Sequence, residues 1–176
     1  MEKTLYTHPL SSQQQAEVSA QIALLGSEDG PTREAARKTL LTYGQGITPY
    51  LEPALHSENE HTRWEAAKIF GAQPAPDAAP YLVEAMTDEV YSVSWLAAEA
   101  LIKLGQQALA PLMTGLIRHF DSLNFRNGAH HVLHSLERAG QLPPETLQVL
   151  NALRAIESEI AVPFAAQNAL KTLSQN

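Results

Sequence analysis

The chain has 176 residues and no cysteine, which leaves room for one domain burying roughly 70% of its unfolded surface and excludes disulfides, thiolate metal sites and cysteine nucleophiles. Twelve Lys and Arg against nineteen Asp and Glu give a formal charge of −7, concentrated in residues 51–100 where nine acids meet two bases. That balance opposes a nucleic-acid surface, and no apolar run reaches the ~18 residues of a membrane span or forms a secretory signal behind Met1-Glu2-Lys3, so a cytoplasmic chain is expected.

In chain order, residues 1–12 are expected as an N-terminal tail and 13–176 as a single repeat domain. After a first helix predicted over 15–25, an apolar pattern begins at Arg33. Steps of three, six, seven and ten residues land on Ala36, Thr39, Leu40 and Tyr43. From Arg63 the same steps reach Ala66, Ile69, Phe70 and Gln73; from Ser94, Ala97, Ala100, Leu101 and Leu104. From Arg126 they reach Ala129, Val132, Leu133 and Leu136; from Pro163, Ala166, Ala169, Leu170 and Leu173. At 100° per residue these offsets share one side of a helix, so each segment reads as amphipathic. Helices are thereby predicted over 33–43, 62–72, 91–104, 124–138 and 161–173.

A partner helix precedes three of these at matched spacing: Pro49-Tyr50-Leu51, Pro80-Tyr81-Leu82 and Pro111-Leu112-Met113, each with proline suited to a first turn. They and their last counterpart are predicted over 47–56, 78–86, 107–119 and 145–156. Gly44 and Gly105, eleven residues after their anchors, suit left-handed caps. Ser57-x-x-Glu60 has capping-box spacing, and Asp88 and Asp121 are further expected N-caps. The whole is an all-α chain of about five helical hairpins whose anchors lie 30, 31, 32 and 37 residues apart. The pattern is expected to resume in register across the breaks at 71–80 and 140–144.

The segments Thr62-Arg63-x-x-Ala66-Ala67-x-Ile69-Phe70, Val93-Ser94-x-x-Ala97-Ala98-x-Ala100-Leu101 and Phe125-Arg126-x-x-Ala129-x-x-Val132-Leu133 resemble HEAT repeats, in particular the short repeats of the phycobilisome lyase type. The resemblance covers roughly residues 15–173. It implies a right-handed α-solenoid whose second helices line a concave face. Ser94 and Pro163 depart from the arginine expected at the anchor, and the longer last spacing suits a capping repeat.

Offsets one, five and eight oppose the apolar stripe and should face outward. They hold Trp64 and Lys68, Trp95 and Glu99, and Asn127, His131 and His134. Two tryptophans at one offset suggest a partner-binding groove centred on Trp64, Trp95, Asn127 and His131, because indoles are enriched at interaction hot spots. The competing account packs each indole over the neighbouring repeat. Arg63 and Arg126 flank this face and would meet an acidic partner at the groove edge, although shared placement with Arg33 suits bonds to neighbouring repeats. The acidic turns, with Glu58, Glu60, Asp88 and Glu89, would steer a basic segment.

His130 and His134 are spaced to share a metal, with His119 as a possible third ligand, yet no His-Glu-x-x-His motif surrounds them. No phosphate-cradling glycine loop, nucleophile elbow or Asp-rich metal loop is present. No cofactor is implied. The expected function is therefore a monomeric protein-interaction scaffold that holds a peptide or partner surface. The alternative is an enzyme or enzyme subunit, lyase-like or metal-dependent, that uses the groove or the histidine cluster.

Overall fold

A computed structural model describes residues 10–155 and 158–175. Among the described residues the regular structure is helical: α1 (Ser12–Leu24), α2 (Gly30–Leu41), α3 (Thr48–Leu51), α4 (Glu60–Ala72), α5 (Ala79–Ala85), α6 (Tyr91–Leu104), α7 (Leu109–Arg118), α8 (Leu123–Arg138), α9 (Pro144–Arg154) and α10 (Ser158–Leu173). The chain is an all-α repeat solenoid. Of the tail expected over 1–12, residues 1–9 lie outside the described residues, as does the end of the helix predicted over 145–156.

Local chemistry sets the helix starts, and it shifts several from their predicted places. Ser11 and Gln14 form a reciprocal capping box, which starts α1 three residues early. The predicted Ser57–Glu60 box does not form. Ser57 Oγ instead accepts from the Asn59 N–H, and Asn59 caps α4 by accepting from His61 and Thr62. Ser122, rather than Asp121, caps α8 through the Phe125 N–H. Asp88 accepts from the Val90 N–H ahead of α6, where Val90 itself offers no side-chain cap. The helix predicted over 47–56 is divided into α3 and two flanking 3₁₀ turns, Gly44–Ile47 and Pro53–His56. Pro53 lacks the N–H that a continuous helix would donate to the Pro49 carbonyl.

The apolar offsets do the packing. Ala36, Leu40, Ala66, Ile69, Phe70, Ala97, Leu101, Ala129, Val132 and Leu133 are all no more than 2% exposed. Helices α2, α4, α6 and α8 stack as one row, with α4 on α6 the most extensive contact, while α5 and α7 pack in a second row. Truncating such a buried leucine to alanine typically costs about 2–5 kcal/mol.

Polar bonds one repeat long stitch the row together. The Glu65 carboxylate, almost wholly buried on α4, pairs with Arg37 of α2 and has Arg33 Nε at 3.8 Å. Gln73 Nε2 donates to the Leu41 carbonyl at 2.6 Å, and Lys103 Nζ to the Gly71 carbonyl at 2.6 Å. Both satisfy carbonyls that a helix C-terminus leaves without internal partners. Gln73, which the apolar pattern placed in the stripe, thus serves as a neighbour's cap.

After α2, α4 and α6 the chain passes to the other row through a 3₁₀ turn: Gly44–Ile47, Pro76–Ala78 and Gly105–Ala108. Gly44 and Gly105 adopt φ of 61° and 62°, as their spacing predicts. The fourth connection is different. Gly140, at φ 69°, closes α8 in a Schellman motif in which its N–H reaches the Glu137 carbonyl and the Gln141 N–H reaches the Leu136 carbonyl. Pro143 is extended and Pro144 opens α9 at once, with no 3₁₀ turn between. Consequently α9 packs beside α8, and α10 returns over α7 and α9. The last hairpin is therefore exchanged between rows, contrary to the expectation that the repeat resumes in register after 140–144.

Candidate functional site

Helix α6 begins on an exposed aromatic pair one turn apart. Tyr91 occupies its first position at 74% exposure, and Trp95 follows at 41%. Their ring centroids lie 6.1 Å apart at 31°. His131 of α8 covers part of the indole, stacked at 4.4 Å and 24°. One turn beyond Trp95, Glu99 holds that imidazole, with 2.7 Å between Glu99 Oε1 and His131 Nε2. A side chain clamped in this way loses little further freedom on binding, which is how aromatic anchors contribute affinity.

Between α6 and α8, beside this stack, lies a cleft of about 110 Å³. Buried Met86 and Ala98 form its apolar floor, with Tyr91, Ser94 and Trp95 on one side and Asn124, Asn127 and Gly128 on the other. Gly128 permits the close approach, since a Cβ there would meet Met86 Cε at 2.9 Å. Asn124 and Asn127 are exposed, and neither side chain makes a hydrogen bond among the described residues. No charged side chain lines this cleft.

Trp64 shares the offset of Trp95 but not its setting. It is half-buried, and Lys68 Nζ sits 4.2 Å from its ring centroid in a cation–π contact. Its neighbours in a second cleft, of about 210 Å³, are Arg33, Glu60, His61, Val90 and Ser92. Of the four residues expected to centre the groove, Trp95, His131 and Asn127 come together, and Trp64 lies in the adjoining repeat.

The anchor arginines turn inward. Arg63 Nη1 donates to the Ser57 and Glu58 carbonyls at 2.8 and 3.1 Å, while Nε and Nη2 grip the Asp88 carboxylate at 2.6 and 3.1 Å. The Asp88 bond holds the guanidinium above its ordinary pKa. Arg33 makes the same pair of carbonyl bonds to Ser27 and Glu28, and Arg126, largely buried, donates to the Phe120 carbonyl. Arg63 and Arg126, expected at the groove edge facing an acidic partner, are thus committed to the hairpin turns. Exposure there falls to carboxylates: Glu28, Asp29, Glu58, Glu60, Glu89 and Asp121.

The histidine cluster is organised around a guanidinium. Arg154 of α9 donates from Nε to His130 Nε2 at 3.4 Å and from Nη2 to His134 Nδ1 at 3.1 Å, with Glu137 Oε2 also at 3.1 Å. The two imidazoles are stacked 5.8 Å apart. Burial first, then the Arg154 charge, hold His130 below its ordinary pKa. A positive side chain lies where the metal reading would place a cation. His119, its possible third ligand, is engaged elsewhere, 3.1 Å from Glu84 and against Phe125. No group of three His, Asp or Glu among the described residues is arranged to hold a metal ion.

Tyr91 and Asn124 were missed by the reading of offsets because they precede the anchors in the first helical turn. Tyr91, four residues before Trp95, was the available signal. Residues 48–133, from α3 into α8, match the family of HEAT repeats, which supports a HEAT-repeat family for this chain. A comparison with curated proteins finds no significant match.

Proposed function

We propose that this chain is a protein-interaction scaffold that holds a peptide or the surface of a partner on the face formed by α4, α6 and α8. HEAT repeats commonly serve as such scaffolds, which supports the reading. The finer likeness to repeats of the phycobilisome lyase type rests on the three repeat motifs alone and adds no chemistry. One observation carries the proposal: Trp95 is exposed yet fixed by His131 and Glu99, beside a cleft whose two amides have no partner among the described residues. An isolated exposed apolar residue needs no explanation, but a braced indole with an exposed tyrosine ring beside it makes a contiguous patch. Amides at the cleft mouth suit the N–H and C=O groups of an extended segment.

A photo-crosslinking residue at Asn127 should trap discrete proteins in a lysate of the cells of origin. The same residue at Tyr81, on the first-helix row, should trap none of them. Adding Trp95→Ala to the Asn127 probe, after its melting temperature has been checked, should abolish the bands. Equal trapping from both positions, or bands indifferent to Trp95→Ala, would refute the scaffold face.

A further inference from the structure

Sequence alone leaves the sign of this face open, because arginines and acids alternate along the turns that feed α2, α4, α6 and α8. The structure separates them. Each anchor guanidinium is directed onto turn carbonyls, where it contributes to the fold, whereas Glu58, Glu60 and Glu89 project outward without an ion pair among the described residues. Along that edge seven carboxylates, with Asp88 counted, outnumber three guanidiniums by four. Four helix N-termini offset roughly half a charge each, or about two in all, so the edge stays negative. It borders the first turns of α6 and α8, where Tyr91, Trp95 and Asn127 line an uncharged, apolar-floored cleft.

We infer that the occupant of this face is an extended segment of a partner protein that seats one apolar side chain in the Tyr91–Trp95 cleft and sets lysine or arginine against the carboxylates of Glu58, Glu60 and Glu89. The inference rests on the scaffold reading and adds to it the charge and form of the partner. Apolar burial over Met86 supplies the anchor, and Asn124 and Asn127 are placed to bond the segment's backbone. The acids lie in solvent. They therefore act mainly on encounter and selectivity, and their effect must weaken with salt.

Three fluorescein-labelled pools of twelve-residue synthetic peptides test this by anisotropy: lysine and arginine around a central leucine or phenylalanine, glutamate around the same centre, and lysine and arginine around a central serine. The basic–apolar pool should bind at least roughly tenfold more tightly than either other pool, and raising NaCl from about 50 to about 300 mM should weaken it several-fold. Glu60→Lys/Glu89→Lys should lose about tenfold for that pool, and Trp95→Ala a comparable amount. Binding of the basic–apolar pool no tighter than the acidic pool would overturn the inference. If the acidic pool binds and Trp95→Ala abolishes it, the scaffold face survives and only the charge assignment falls. If a pool binds but folded Trp95→Ala binds it equally, the site itself is misplaced and both fall.

Discussion

The α4–α8 stack and the α9–α10 hairpin are written with the same apolar offsets yet packed by different rules. In the stack, the residues at three, six and seven beyond each anchor bury second helix against second helix. In the last hairpin, Ala166 and Ala169 at those offsets are equally buried, but α10 lies over α7 of the other row. A stripe states which side of a helix leaves water. The connection decides what it meets: a 3₁₀ turn carries the chain across to the other row, and Gly140 with Pro143-Pro144 turns it straight back. The exchanged hairpin ends the row as a cap that differs from the units it covers.

The strongest way to break the comparison is to remove the cap. A chain ending at residue 142 should uncover the sides of α7 and α8 now packed on α10 and α9. It should associate in gel filtration or lose cooperative melting, whereas a monomeric fragment with a sharp transition would show that the stack needs no cover. Next comes the buried pair inside the stack. Glu65→Leu leaves Arg37 and Arg33 beside an apolar side chain, and removing one member of a buried pair typically costs about 3–5 kcal/mol. Urea unfolding measures it, and a loss below about 1 kcal/mol would mean that the two arginines find water without strain.

The repeat, the helical class and the stripes were legible in the sequence because burial imposes a period that survives in the residue types. Leu40, Leu101 and Leu133 needed no tertiary knowledge. The exchange of rows was not legible, since Gly140 and the two prolines read only as a break. Nor were the partners of the polar residues. Glu65 looked like one acid among nine, and its burial depends on α2 lying beside α4. The site was half legible. Trp95 and His131 share outward offsets on successive repeats and do meet, but Trp64 has the same offset and a lysine laid over its ring. The offset that Arg63 and Arg126 share with Arg33 did suit bonds to neighbouring repeats, such as the one Arg63 makes with Asp88, but the turn carbonyls they grip leave no trace in residue type.

Gly140→Ala probes the turn that sets the exchange. Nothing lies within 4 Å of the added methyl group, so only the left-handed backbone resists it, at about 1–2 kcal/mol. Thermal unfolding of this variant should show that loss, and no loss would mean that the Schellman turn does not constrain α9. The two tryptophans come next. Trp95→Ala removes a side chain 41% exposed and should cost about 1 kcal/mol or less, well under the roughly 3–5 kcal/mol of a core aromatic. Half-buried Trp64→Ala should cost more than Trp95→Ala by chemical denaturation. The reverse order would make Trp95 a structural residue.

The smallest effect concerns acid. A guanidinium can only donate, so the bonds from Arg154 require bare ring nitrogens on His130 and His134. His134 Nδ1 also lies 3.2 Å from Glu137, to which it donates only in the tautomer that carries a hydrogen on that nitrogen. The groups facing His130 are Arg154 from α9 and His131, His134 and Glu137 along α8, and all but Glu137 oppose its charging. Its folded pKa is therefore below the ordinary value, so the folded chain binds fewer protons than the unfolded one as pH falls. The contribution is complete above about 6.5 and is lost as pH falls through the lowered folded pKa. Amide exchange corrected for intrinsic rate should rise in α9 on going from pH 7.5 to 5.5, with less change in α4, which Arg63 ties to Asp88 ahead of α6. His130→Gln should flatten the response by removing the titrating ring. A uniform rise through the whole solenoid, or an unchanged slope in His130→Gln, would place the acid sensitivity elsewhere and leave the Arg154 cluster as a pH-indifferent clasp between the stack and its cap.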